Sequence, residues 1–128
     1  MAVAIRSKNV EATLLHYAPD VVSFDVVGPL QFRGSAAIRQ RLEEWFASFK
    51  GPIEYESSDA EIAASGAIAF CHSLNHVSGT LGDGRKLEMW WRATLGFRKH
   101  EGAWRVSHSH SSVPFDPKSG KASLDLKP

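Results

Sequence analysis

Only one cysteine, Cys71, occurs in the sequence. That excludes an intramolecular disulfide and any metal cage built from cysteine alone. Charge of one sign is also missing: 15 basic and 14 acidic side chains leave a net charge of +1, so there is no electrostatic footprint for nucleic acid. No apolar run approaches the length of a membrane span, so no membrane partner is expected. The start, MAVAIRSKN, lacks the apolar core of a signal peptide, and the reading that follows is a cytoplasmic protein. No glycine-rich fingerprint follows a strand, so no organic cofactor is expected. What remains is a chain of 128 residues, 43% hydrophobic and 23% charged, which fits one soluble globular domain with one core.

The most informative stretch is 86–115, where KLEMWWRATLGFRK and RVSHSHSSVPF flank a polar turn at Gly102. Side chains two apart in a strand share a face. Met89, Trp91, Ala93, Leu95 and Phe97 form a wholly apolar set that should face a core. Trp90, Arg92 and Thr94 form the mixed set, which suits either a half-wet outer face or the lining of a cavity. In the second segment Trp104, Val106, His108 and His110 share a parity that begins apolar and ends with two imidazoles. A strand running from a core to a pocket mouth would look like this.

Upstream, Val10, Leu14, Tyr17 and Ala18 recur at helical spacing, which predicts a helix over about 3–17 ended by Pro19. A strand is predicted over 21–27, a short extended return over 30–33, and a second helix capped by Ser35 and closed by Gly51-Pro52. Its apolar stripe is Ile38, Leu42, Trp45, Phe46 and Phe49. From Ile53 the period changes to two. Strands are predicted over 53–62 and 67–80, with turns at Ser65-Gly66 and Gly82-Asp83-Gly84. Residues 114–128 read as a C-terminal tail on a single domain spanning 1–128. Helices grouped apart from a mostly antiparallel sheet define an α+β fold. If the sheet curves strongly, the helices roof a cavity on its concave face.

The run HYAPDVVSFDVVGPLQFRG, a helix, and strands ending in GAWRVSHSHSSVPF resemble the NTF2-like superfamily, in its SnoaL-like and ketosteroid-isomerase-like branch. Tyr17-Ala18, Asp20, Phe24-Asp25, Gly34, Gly102 and Trp104 carry the resemblance, which covers about 9–115. It implies a cone-like mixed sheet enclosing a pocket, and a cofactor-free enzyme or a binding module, since this fold hosts both. It also puts Asp25 where the isomerase-like members place a general-base carboxylate, a group suited to moving a proton beside a carbonyl. The acid that helps those isomerases hold an enolate would fall near Ala93 or Thr94, and neither is acidic.

Besides Asp25, the candidate catalytic groups are His108 and His110, and the candidate ligand-binding groups are Tyr17, His72, Trp90 and Arg92. Each has a plainer role. Asp25 would accept backbone bonds in a turn. The histidines would be satisfied polar groups at a sheet edge, and Arg92 would cover Trp90 on an outer face. His72 beside His108 and His110 would supply three nitrogen donors, but no third ligand is fixed by the spacing and no metal is expected. The expected ligand is a small hydrophobic or aromatic carbonyl compound. The long aromatic strands also suit a homodimer.

Overall fold

A computed structural model describes all residues 1–128. The elements run α1 (Ala2–Arg6), α2 (Val10–Leu14), β1 (Tyr17–Phe24), β2 (Phe32–Arg33), α3 (Gly34–Ala47), β3 (Phe49–Ser65), β4 (Ile68–Leu81), β5 (Lys86–His100) and β6 (Ala103–Ser112). One six-stranded open sheet has the order β2-β1-β6-β5-β4-β3. β1 runs parallel to β6 and every other neighbouring pair is antiparallel. The architecture is the mixed α+β arrangement that the alternating and helical periods predict.

The helices cover one side of this sheet. Ile5, Ile38, Leu42 and Phe46 from the helices meet Val21, Ile53, Tyr55, Val77 and Val106 from the strands. The apolar parity of β5 (Leu87, Met89, Trp91, Leu95 and Phe97) packs against this core, as alternation requires. Gly79 sits on the same side because Phe49 needs the room: a Cβ there would lie 2.7 Å from the ring. Register shifts at Lys50/Ile53 and Ser58/Glu61 on β3, at Gly96/Phe97 between β5 and β6, and at Tyr17/Val22 on β1 bend and twist the strands. At the second of these Asp59 takes a positive φ of 54°.

Several boundaries differ from the periodic reading. The first helix is two short ones, because the chain turns at Lys8 with φ 54° and Asn9 caps α2 by accepting from Ala12 N. Tyr17 therefore starts a strand, and Pro19 lies inside β1 rather than ending a helix. Arg33 precedes α3 at the cap position without a side-chain cap, and Ser35 is already helical. α3 stops at Ala47, so Gly51 and Pro52 belong to β3. After β6, Phe115 bridges to Ala122, and residues 124–127 return over Glu88 and Trp90 of β5.

Candidate functional site

On the helix side the bend in the sheet leaves a hollow of about 220 Å³. Its floor is Tyr55, Ser57, Cys71, Ser73, Asn75, Leu95 and Phe97; Met1, Ala2, His16 and Trp104 stand at its rim. Alternation puts Ser73 and Asn75 on this face together with Val77, and cross-strand pairing puts Ser57 opposite Asn75. Ser57 Oγ and Ser73 Oγ both donate to Asn75 Oδ1, at 2.7 and 2.9 Å. The Tyr55 ring leans on Trp91 with centroids 5.9 Å apart. Burial lowers the pKa of His16, and the positive charges of the chain amine and Arg105 add to the effect, so its neutral form is favoured.

Asp25 and Tyr17 lie on the same side of the sheet, outside the set that lines this hollow. Asp25 follows β1 and reaches α3, where its Oδ2 accepts from Arg41 Nε at 2.9 Å. Its Oδ1 accepts from Val26 N at 2.6 Å, the turn role that the plainer reading gives it. Both partners of the ion pair keep 21% of their side-chain surface. Tyr17 begins β1 beside Val106. Burial pushes its hydroxyl up to about 12, and the nearby Tyr55 and Asp25 push in the same direction. Tyr17 thus stays a protonated donor at neutral pH and feels both the carboxylate and a residue of the hollow. Burial likewise raises the Tyr55 hydroxyl, a little offset by Ser57.

The other sequence-predicted residues occupy the opposite face. Pairing jumps from Gly96↔His108 to Phe97↔Val106, so Ser107 is an extra residue on β6. The bulge reverses the alternation: Val106 is fully buried, but His108 and His110 turn to the outer side. The expectation that they share a face with Trp104 and Val106 and meet Asp25 in one cavity is therefore corrected. His108 Nδ1 donates to Val22 O at 2.7 Å, and Phe24 stands edge-on to both imidazoles at 4.8 and 5.4 Å. His72 is two strands from His110 across Thr94 and lies 3.3 Å from Glu61. No group of three His, Cys, Asp or Glu side chains is placed to hold a metal ion. Trp90 is on the outer face, its ring tilted against His76 with centroids 4.7 Å apart, and exposed Arg92 donates to Ser112 Oγ at 3.1 Å. Neither reaches the hollow, because even-numbered positions of β5 all point outward.

Sequence reasoning passed over Ser57, Ser73, Asn75, Tyr55, His16 and Arg41. A signal for two of them, Ser73 and Asn75, exists. Ala69, Cys71, Ser73, Asn75 and Val77 form the parity of β4 opposite to its phenylalanine and histidines, and small polar groups interrupting an apolar side mark a cavity floor. Arg41 gives no such signal, since its partner is 16 residues away across a loop.

No helix is long and apolar enough to cross a membrane. No curated protein matches this sequence. An NTF2-like protein of unknown function from Pseudomonas putida KT2440 superposes with a TM-score of 0.89 at 35% identity, over 99% of this chain and 88% of that one. An NTF2-like superfamily protein from Salmonella enterica serovar Typhimurium LT2 superposes at 0.81 with 16% identity, covering 95% and 89% of the two chains. A ketosteroid isomerase-like protein from Erwinia carotovora atroseptica gives 0.73 and 19%, covering 86% and 85%. The SnoaL-like domain family matches residues 1–116, and with the fold and the Pseudomonas relative this makes the chain a member of that family within the NTF2-like superfamily.

Proposed function

We propose that the protein takes up a small hydrophobic carbonyl compound on the helix side of the sheet, entering by the hollow and extending beyond its lining toward Asp25, the carboxylate that moves a proton on it without a cofactor. The observation behind this reading is that Asp25 and Tyr17 lie on the hollow's side of the sheet, Asp25 held against α3 by Arg41 and Tyr17 packed on the core to which the hollow-lining Tyr55 belongs. The carboxylate accepts a proton from the carbon beside the carbonyl and returns it at a neighbouring carbon, so bonding rearranges without net oxidation. The Tyr17 hydroxyl, held protonated, donates to the oxygen that gains charge. Arg41 Nε keeps the carboxylate oriented.

A second reading, a binding module without turnover, is favoured by one fact: both Asp25 oxygens are already engaged, by Arg41 and by Val26 N. Deuterium exchange separates the two. The protein is incubated in D2O with small cyclic ketones such as 2-cyclohexen-1-one, and loss of the proton signals beside the carbonyl is followed by NMR. Exchange faster than buffer that disappears in Asp25→Asn supports the enzyme. Saturation transfer to the ketone without accelerated exchange selects the binding module. Neither exchange nor binding removes both.

A further inference from the structure

We infer that Asn75 reads a neutral hydrogen-bond acceptor on the bound ligand through the two N–H donors of its side-chain amide, and so determines which compounds the hollow admits. The inference rests on the pocket reading above but not on any role for Asp25. Asn75 lies on the helix side of β4 and is 7% exposed. Its Oδ1 accepts from Ser57 Oγ and Ser73 Oγ, which uses both lone pairs of that oxygen. Two hydroxyls from two strands thereby hold one amide in one orientation. The Nδ2 donors make no hydrogen bond within the chain. Since every wholly enclosed polar side-chain atom does have a partner, Nδ2 opens onto the hollow that Asn75 lines. Donors fixed in one orientation and facing a cavity are what an acceptor on a ligand needs, and such an acceptor completes the hydrogen bonding of this amide.

The lining also specifies the rest of the ligand. Leu95, Phe97 and Trp104 offer apolar and aromatic surface, and the space of about 220 Å³ suits a single ring with a short substituent. No Asp, Glu, Lys or Arg side chain lines it, and His16 favours its neutral form. An anionic ligand would lose its hydration on the floor with no side-chain countercharge.

The test uses three ring compounds of similar size: acetophenone, ethylbenzene, which lacks the acceptor, and benzoate, which carries a charge. Dissociation constants are measured by saturation-transfer NMR on the full chain. Wild type should bind acetophenone at least about tenfold more tightly than either of the others, the discrimination one buried hydrogen bond supplies. Asn75→Asp keeps an acceptor for both serine hydroxyls but removes the donors, and the preference over ethylbenzene should vanish. Asn75→Leu removes the donors without adding a buried charge and should do the same, so poor folding of the Asp variant leaves the test intact. Equal binding of acetophenone and ethylbenzene by wild type, a preference for benzoate, no acetophenone binding, or a preference that survives both substitutions would each overturn the inference. Asn75-dependent binding without deuterium exchange upholds it while the proton-transfer reading fails. Full exchange with no Asn75-dependent preference does the reverse.

Discussion

The two faces of the one sheet carry opposite kinds of residue. On the helix side Val21, Val77 and Val106 are almost completely buried, and the few polar groups, Ser23, Ser57, Ser73 and Asn75, bond to one another or to β6. The outer side holds His72, His76, His108 and His110 with Trp90 and Arg92, and its apolar members Ile68 and Phe70 remain half exposed. Most of the titratable side chains that attract attention in the sequence therefore sit away from the hollow. A histidine is not evidence of a site until its face is known. Asp25 and Tyr17 are the exceptions that fall on the helix side.

The strongest way to break this contrast is to put a charge on the core side of β6, just before the bulge that sends His108 and His110 outward. Val106 is fully buried, and Val106→Asp either buries an unpaired carboxylate or turns that position out of the core. Either choice costs several kcal/mol, a large part of the total stability of a domain this size. The variant is expected to lose its cooperative thermal transition, followed by circular dichroism. A transition at the wild-type temperature would mean that Val106 does not face the core. Next in size is a matched pair. Phe46→Ala empties a site in the core and should cost about 3–5 kcal/mol in urea unfolding. Phe70→Ala, on a ring 51% exposed on the outer side, should change stability by less than about 0.5 kcal/mol.

That bulge is also the main reason the site was only partly legible. Periodicity gave the α+β class, the long β3–β6 strands and the inward side of β5, because those depend on alternation within unbroken strands. It could not give the side of His108, since one extra residue reverses every position after it and Ser107 carries no mark of being that residue. The helix over 3–17 failed for a related reason. Its apolar spacing is helical, but the capping side chain of Asn9 and the left-handed Lys8 divide it. The hollow's polar floor was legible in principle as Ser73 and Asn75 among small apolar neighbours, while the Asp25–Arg41 pair depends on a loop path that no local pattern encodes.

Tyr17 sharpens the contrast through pH. Its hydroxyl is raised from an ordinary 10 to about 12 in the folded chain, chiefly by burial. Between those values the unfolded chain has released this proton and the folded one has not, so stability is fully present below pH 10 and falls as pH rises toward 12. A shift of about two units corresponds to roughly 2–3 kcal/mol at the alkaline end. Urea unfolding from pH 9 to 12 should show a steeper loss in wild type than in Tyr17→Phe. Equal slopes would mean that the hydroxyl is not enclosed. At neutral pH, Arg41→Met leaves the half-buried Asp25 carboxylate without its partner and should cost about 1–2 kcal/mol.

The smallest effects are expected from the outer imidazoles, and they bear most directly on which face does chemistry. His108→Ala removes the bond to Val22 O, which joins β6 to β1, and should cost about 1 kcal/mol. Exposed His110 makes edge contacts with Phe24 and His108 and no hydrogen bond, and His110→Ala should fall within about 0.5 kcal/mol. Neither substitution should change deuterium exchange on a ketone or the affinity for acetophenone, because the sheet stands between these rings and the hollow. The decisive measurement is exchange at matched folded fraction in wild type, His108→Ala, His110→Ala and Asp25→Asn. If a histidine variant loses exchange while its unfolding curve stays within the limits above, the outer face takes part in the reaction, and the division of labour between the two sides has to be redrawn with Phe24, His108 and His110 at its centre.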